Sequence, residues 1–258
     1  LREDRRKLVY LSPDELEEGG FGFIKVNNPE GRVTLAAGES LETPVQGAVE
    51  LTGANVDIFG SIRSPGGTIS LNALNISPNV SATLALLLTG DPLKVTPAPN
   101  TGRGIVTVGQ DAVLDASGLL VDDRLSAPAP LSLPLLLNGG SVNIAGYTVN
   151  LAGGSLVDVS GGARIDWLGK RTYGDAGSIT LKAGQDLNIP AVLGGRLVMD
   201  STFRGFAGQG SKGGTFNVTA PFIQIGGGSS NPNVLVFQPD FFSEGGFASF
   251  SFTGIGSR

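Results

Sequence analysis

The residues best equipped for chemistry in this chain form one charged patch around its single tryptophan: Asp158, Arg164, Asp166, Lys170, Arg171 and Asp175 flank Trp167. Carboxylates beside an exposed aromatic ring are what a carbohydrate groove needs, because the ring stacks on a sugar while acids transfer protons. The alternative reading is structural: Leu168 to Gly174 is a solvated loop, and Trp167 packs against the body of the protein. Composition closes most other chemistries. There is no histidine and no cysteine, so the chain can build no Ser-His-Asp triad, no Cys-His dyad, no His-liganded metal and no disulfide. Calcium-binding repeats of the Gly-Gly-x-Gly-x-Asp type are missing too, since Gly226-Gly227-Gly228 lacks the aspartate. No catalytic residue, metal or cofactor is expected.

The totals describe the body that must carry this patch. A length of 258 residues allows one large β domain or two ordinary ones. Forty glycines and 15 prolines accompany an apolar share of 40 %, which argues for many turns around a real core and against disorder. Charged residues make up only 16 %, below the usual quarter, and Gly, Ser, Thr and Asn fill the polar positions. Such a surface suits a repetitive extracellular protein. The net charge of −5, without a long basic run, excludes nucleic acid as the expected partner. The purely apolar runs, such as Leu84 to Leu88 and Leu135 to Leu137, are far shorter than the roughly 18 residues of a membrane span, and no signal peptide is visible. The chain starts at Leu1 without Met and reads as a piece of something longer.

The organising unit is the stretch from Gly177 to Asp200, where Ile179, Leu181 and Ala183, then Leu187 and Ile189, then Leu197 and Met199 alternate with polar residues between glycine corners. Period-two alternation marks strands with one buried face. Lys182, Asp186 and Arg196 then face solvent. The same frame recurs after Gly31, Gly67, Gly104, Gly140, Gly177 and Gly214, at separations of 36, 37, 36, 37 and 37 residues. A fixed period of this size signals a repeat architecture. Gly177, Gly195 and Gly214 divide it into steps of 18 and 19. The expected fold is therefore all-β, a right-handed parallel β-helix with about 18–19 residues per coil and two coils per period. A rod of roughly 11 to 13 coils would be about 50 to 60 Å long. The competing antiparallel sandwich calls for tight hairpin turns, and Asn138-Gly139 is the one such pair.

Residues 1–30 read as a connector whose Ser12 to Gly19 is the only plausible helix: Ser12 can cap, Pro13 can open it and Gly19 can end it. Residues 31–225 form the expected β-helix, with proline-rich excursions at 78–100 and 119–137. Residues 226–258 are a Phe-rich end layer; ten of the 13 phenylalanines follow position 200. A longer repeat is also present. Pro13-Asp14-Glu15-Leu16-Glu17-Glu18-Gly19-Gly20-Phe21 and Pro239-Asp240-Phe241-Phe242-Ser243-Glu244-Gly245-Gly246-Phe247 agree at six of nine positions, 226 residues apart, so one super-repeat and the start of the next are expected.

Gly-Gly-Phe followed by alternating apolar residues, then Val33-Thr34-Leu35-Ala36-Ala37-Gly38-Glu39-Ser40-Leu41, Gly66-Gly67-Thr68-Ile69-Ser70-Leu71-Asn72-Ala73 and Val157-Asp158-Val159-Ser160-Gly161-Gly162-Ala163, resemble the repeat region of filamentous-haemagglutinin-like exoproteins. The resemblance covers most of Gly19 to Ala220. It implies two-partner secretion through an outer-membrane partner barrel, a location outside the cell or on the bacterial surface, and a role in adhesion through host-cell, glycan or neighbouring surface-protein contacts. The repeat region of that family has no catalytic residues to carry over. Parallel β-helices also host polygalacturonases and pectin lyases, and Asp122-Asp123 resembles the paired aspartates of the former; those enzymes need a histidine as well, so the match is accidental. The expected function is a non-enzymatic rod segment of a secreted adhesin, a spacer and display scaffold. The alternatives are a carbohydrate-binding or carbohydrate-cleaving β-helix using Trp167, Asp158, Arg164, Asp166, Arg171 and Asp175, and a subunit of a laterally assembled filament or sheet.

Overall fold

The structure, a computed structural model, describes residues 12–87, 96–124 and 135–256. In chain order it begins with helix α1 (Pro13–Glu18), followed by strands β1 (Phe23–Leu35), β2 (Ser40–Glu42), β3 (Ala48–Ile58), β4 (Ser61–Arg63) and β5 (Thr68–Ala73). Helix α2 (Pro78–Leu87) interrupts the strands, which resume with β6 (Ile105–Val108), β7 (Val113–Asp115), β8 (Leu120–Asp122), β9 (Ser141–Ala145), β10 (Thr148–Leu151) and β11 (Leu156–Asp158). The remainder are β12 (Ala163–Ile165), β13 (Arg171–Tyr173), β14 (Ser178–Lys182), β15 (Leu197–Met199), β16 (Thr202–Arg204), β17 (Gly214–Ala220), β18 (Phe222–Ile225), β19 (Val234–Phe237) and β20 (Phe247–Gly254). The protein is thus all-β in character, and its main sheet is parallel and curled.

Parallel pairing sorts most strands into three stacked sets. The first contains the start of β1, the start of β3, then β5, β9, β14, β17 and β20. The second contains the ends of β1 and β3, then β6, β10 and β15. The third is β2, β4, β7, β11 and β16. The chain visits the sets in the same order on each of its first five passes. Strand β3 serves the first two sets without a break because it bends at Gly53, where an added Cβ would lie 2.5 Å from the Asn55 carbonyl oxygen.

Alternation along each strand places one residue type inward, and stacking converts that into continuous ladders. Ile24, Val49, Ile69, Val142, Ile179, Phe216 and Phe250 follow one another across the first set. Val33, Val56, Val106, Val149 and Leu197 do so in the second, and Leu41, Ile62, Leu114, Val157 and Phe203 in the third. The inner members are fully buried and share one core. Each contributes on the order of 2 kcal/mol by removal from water.

Four expectations need correction. Strands one glycine period apart are hydrogen-bonded neighbours, since β9, β14 and β17 follow Gly140, Gly177 and Gly214 directly. Between Gly140 and Gly214 each period is therefore one pass, whereas β1, β3 and β5 start only 25 and 20 residues apart, and Gly31 and Gly104 belong to strands of the second set. The seven strands of the first set span about 29 Å at ~4.8 Å each, well short of the expected rod. Inward-facing strands of different sets share the same alternation, so the pattern cannot say which face a strand occupies.

Second, α1 has company: α2 lies inside the 78–100 excursion. Ser77 caps it, its hydroxyl accepting the Asn79 N–H at 3.2 Å and its carbonyl the Ser81 N–H at 3.0 Å, with Pro78 at the first helical position. Prolines 92, 128, 130 and 134, on which the excursions also rested, lie outside the described residues. Third, Asp186 is wholly buried. Its Oδ2 accepts the N–H groups of Asn75 and Ile76 at 2.8 and 2.9 Å, and its Oδ1 those of Asn188 and Ile189 at 2.9 and 2.8 Å. Fourth, Leu168 to Gly174 is not all loop, because β13 pairs antiparallel with β12.

Candidate functional site

The Trp167 patch is a hairpin that leaves the stacked body. β8, β12 and β13 make a three-stranded sheet beside the third set. At the tip, Asp166 Oδ1 accepts the N–H groups of Leu168 and Lys170 at 2.9 and 2.8 Å, while Gly169 adopts φ of 81°. This side-chain turn is a standard aspartate device for reversing the chain. It leaves Trp167 58 % and Leu168 72 % exposed. The expectation that Trp167 packs on the body is therefore overturned: a two-strand projection offers no neighbour to cover an indole at its tip.

The other five candidates are placed as follows. Arg164, on β12, donates from Nε to Asp123 Oδ2 at 2.8 Å. Asp158 ends β11; its Oδ1 accepts the Ser160 N–H at 2.8 Å and its Oδ2 stands 4.0 Å from Arg204 Nη1. Asp115 repeats the arrangement one pass earlier, accepting the Ser117 N–H at 2.9 Å. Asp175 Oδ1 accepts the Lys212 N–H at 2.8 Å, just as Asn138 Oδ1 accepts the Asp175 N–H at 3.0 Å. The Asn138 and Asp175 side chains thereby tie together the three corners that precede β9, β14 and β17. Arg171 is exposed on β13. Asp166 holds the turn. Among the described residues no side-chain bond joins one of the six to another, and the three carboxylates are each occupied by backbone N–H groups. Asp122, whose neighbour Asp123 pairs with Arg164, is held by Arg124 and its pKa falls to about 2.

This arrangement supplies an exposed aromatic tip with Lys170 and Arg171 nearby, suited to stacking on a flat ligand face. It brings no two acids together for proton transfer. Among the described residues no group of three or more His, Cys, Asp or Glu side chains could hold a metal ion, and no helix is long and apolar enough to cross a membrane.

A second concave feature, a notch of about 290 Å³, lies at the far end of the third set. β16 is the last strand there, and Phe203, Arg204, Phe206, Phe241, Glu244 and Phe247 line the space beside it. Phe216 stands behind, with ring centroids 5.0 Å from Phe203, 5.1 Å from Phe247 and 5.4 Å from Phe241. The concentration of phenylalanine after position 200 is the sequence signal for this layer; the notch itself arises from how the 3-10 turn at Pro239–Ser243 seats against β16 and has no local signature.

A buried polar cluster was equally hidden. Asn75, fully buried, donates from Nδ2 to the carbonyls of Asn100 and Arg103 at 2.7 and 2.8 Å; Asn55 donates from Nδ2 to the Gly102 carbonyl at 2.8 Å and accepts the Ile105 N–H at Oδ1 at 3.0 Å. With Asp186, these residues fasten two insertions to the stack. No family model, curated protein or solved structure matches the chain.

Proposed function

We propose that the chain is a right-handed parallel β-helical rod segment of a secreted bacterial surface protein, working as a non-enzymatic spacer and display scaffold. The observation that carries the reading is the set of continuous aliphatic ladders: the interior is filled by stacked side chains from every pass, so the molecule invests its sequence in a stiff body. Asp158, Asp166 and Asp175 serve turns and corners and Arg164 an ion pair, which supports a structural role. The filamentous-haemagglutinin-like pattern extends this to export through a partner barrel and to a role in adhesion. Incubation with a polysaccharide panel tests the reading. No release of reducing sugar or unsaturated product is expected, and release that disappears in Asp166→Ala would overturn it.

The exposed Trp167 favours a second reading, in which the hairpin tip binds a glycan while the stack supports it. Glycan-array binding lost in Trp167→Ala, with the thermal midpoint unchanged, would establish that contact. The lateral filament reading has no comparable observation behind it.

A further inference from the structure

The two copies of the Pro-Asp…Gly-Gly-Phe block occupy equivalent places. α1 packs against β2, the first strand of the third set, and leads through Gly19-Gly20 into β1. The 3-10 turn Pro239–Ser243 leads through Gly245-Gly246 into β20, and the block lies on β16, the last strand of the third set, with the Gly205 N–H donating to the Gly245 carbonyl at 2.7 Å. Gly20 and Gly246 have φ of 61° and 78°. β1 and β20 are the two end strands of the first set.

Applying the 226-residue offset to the ladders maps Ile24 onto Phe250 and Val26 onto Phe252. Those residues already occupy the same two inward columns, Ile24 opposite Val49 and Phe250 opposite Phe216. The offset therefore carries the stack into itself. What each end lacks is present at the other. Phe247 is half-buried against Phe216, whereas its counterpart Phe21 is 52 % exposed, and Phe23 beside it 58 %. Ile24 is buried beneath Val49, whereas Phe250 and Phe252 on the outermost strand are only partly covered.

We propose that this block is a joint at which a second copy of the 226-residue unit continues the same sheet. The free edge of β20 receives, in parallel, the strand corresponding to Ala48–Gly53, and the β17 of a preceding copy covers Phe21 and Phe23. Each unit advances the stack by about 29 Å, six steps of ~4.8 Å. The joint replaces one strand of the third set by a short helical segment, so the aromatic notch beside β16 recurs once per unit. The proposal rests on the rod reading above.

A tandem protein tests it, with residues 1–238 followed directly by 13–258, compared with the same tandem carrying a flexible Gly-Ser linker after residue 238. The direct tandem is expected to scatter X-rays as one body lengthened by about 29 Å with unchanged cross-section, to unfold in one transition, and to protect the amides of the junction strand far more than those of β20 in the single chain. The linked tandem is expected to scatter as two hinged bodies. Identical behaviour of the two, fast exchange at the junction, or folding of the linked form alone would overturn the joint. Hydrogen exchange on the single chain separates the two failures: unprotected amides at 142–144 and 179–181 would sink the rod reading as well, and protected ones would leave it standing.

Discussion

At the scale of single residues, the glycine frame has a steric cause. A Cβ on Gly140 would lie 1.9 Å from the Gly67 carbonyl oxygen, and one on Gly177 would lie 1.7 Å from that of Gly140. Backbone stacks on backbone at this corner, and no side chain fits. Gly177→Ala is expected to destabilise the fold by about 3 kcal/mol in denaturant titrations, whereas Thr180→Ala on the outward face of the same strand should change it by less than about 0.5 kcal/mol. Asp186→Ala removes the acceptor for four N–H groups, those of Asn75 and Ile76 buried, and should cost about 3 kcal/mol or more. The accompanying signature is faster amide exchange at Asn75, Ile76, Asn188 and Ile189.

Charge at the surface gives a pH dependence of known sign. The Ser77 hydroxyl and then the Arg103 guanidinium hold the Glu30 carboxyl below its ordinary 4.5, and Arg124 holds Asp122 at about 2 against an ordinary 3.8. Both depressions stabilise the folded chain fully above the ordinary values, and the contribution is lost as pH falls through the lower folded values. Carboxyl-carbon NMR should show Glu30 titrating below its ordinary 4.5 and Asp122 near 2. Arg103→Ala should move Glu30 back toward its ordinary value.

At the scale of elements, the strands were legible and their assignment to faces was not. Ile179, Leu181 and Ala183 are buried as their alternation requires, because alternation is a local property. Counting passes needs to know which strands touch, and the insertions stretch the β9-to-β14 and β14-to-β17 intervals to one apparent period. Asp186 looked like a solvent-facing corner residue because its decisive partners, Asn75 and Ile76, lie more than a hundred positions away. The Trp167 patch was readable as a cluster in sequence, but three of its members turned out to serve a turn or corner through the Asp-to-N–H pairing that short loops favour. The hairpin also predicts its own independence. Gly169→Val, forcing a β-branched side chain to φ of 81°, should disorder the tip and abolish any Trp167-dependent binding while leaving the cooperative unfolding of the stack within about 1 kcal/mol. Intrinsic tryptophan fluorescence and chemical denaturation read the two effects separately.

At the scale of the whole molecule, one core runs from Ile24 to Phe237 and unites the three strand sets. Truncating an inner ladder residue should therefore be felt globally. Leu181→Ala is expected to lower stability by about 3 kcal/mol and to shift a single unfolding transition. Phe216→Ala should cost about 4 kcal/mol, since its ring contacts those of Phe203, Phe241 and Phe247. Calorimetry that resolved two independent transitions in either variant would contradict a shared core.

The order of the passes has a further consequence. Within the stacked sets, each strand pairs with strands of the passes immediately before and after it, so a chain arriving amino end first always finds its template already in place. Growth is then vectorial: every completed pass exposes an edge that the next one covers, and no strand waits for a distant partner to be delivered. Such a molecule can fold pass by pass from its amino end, each inward residue docking on a ladder that is already formed.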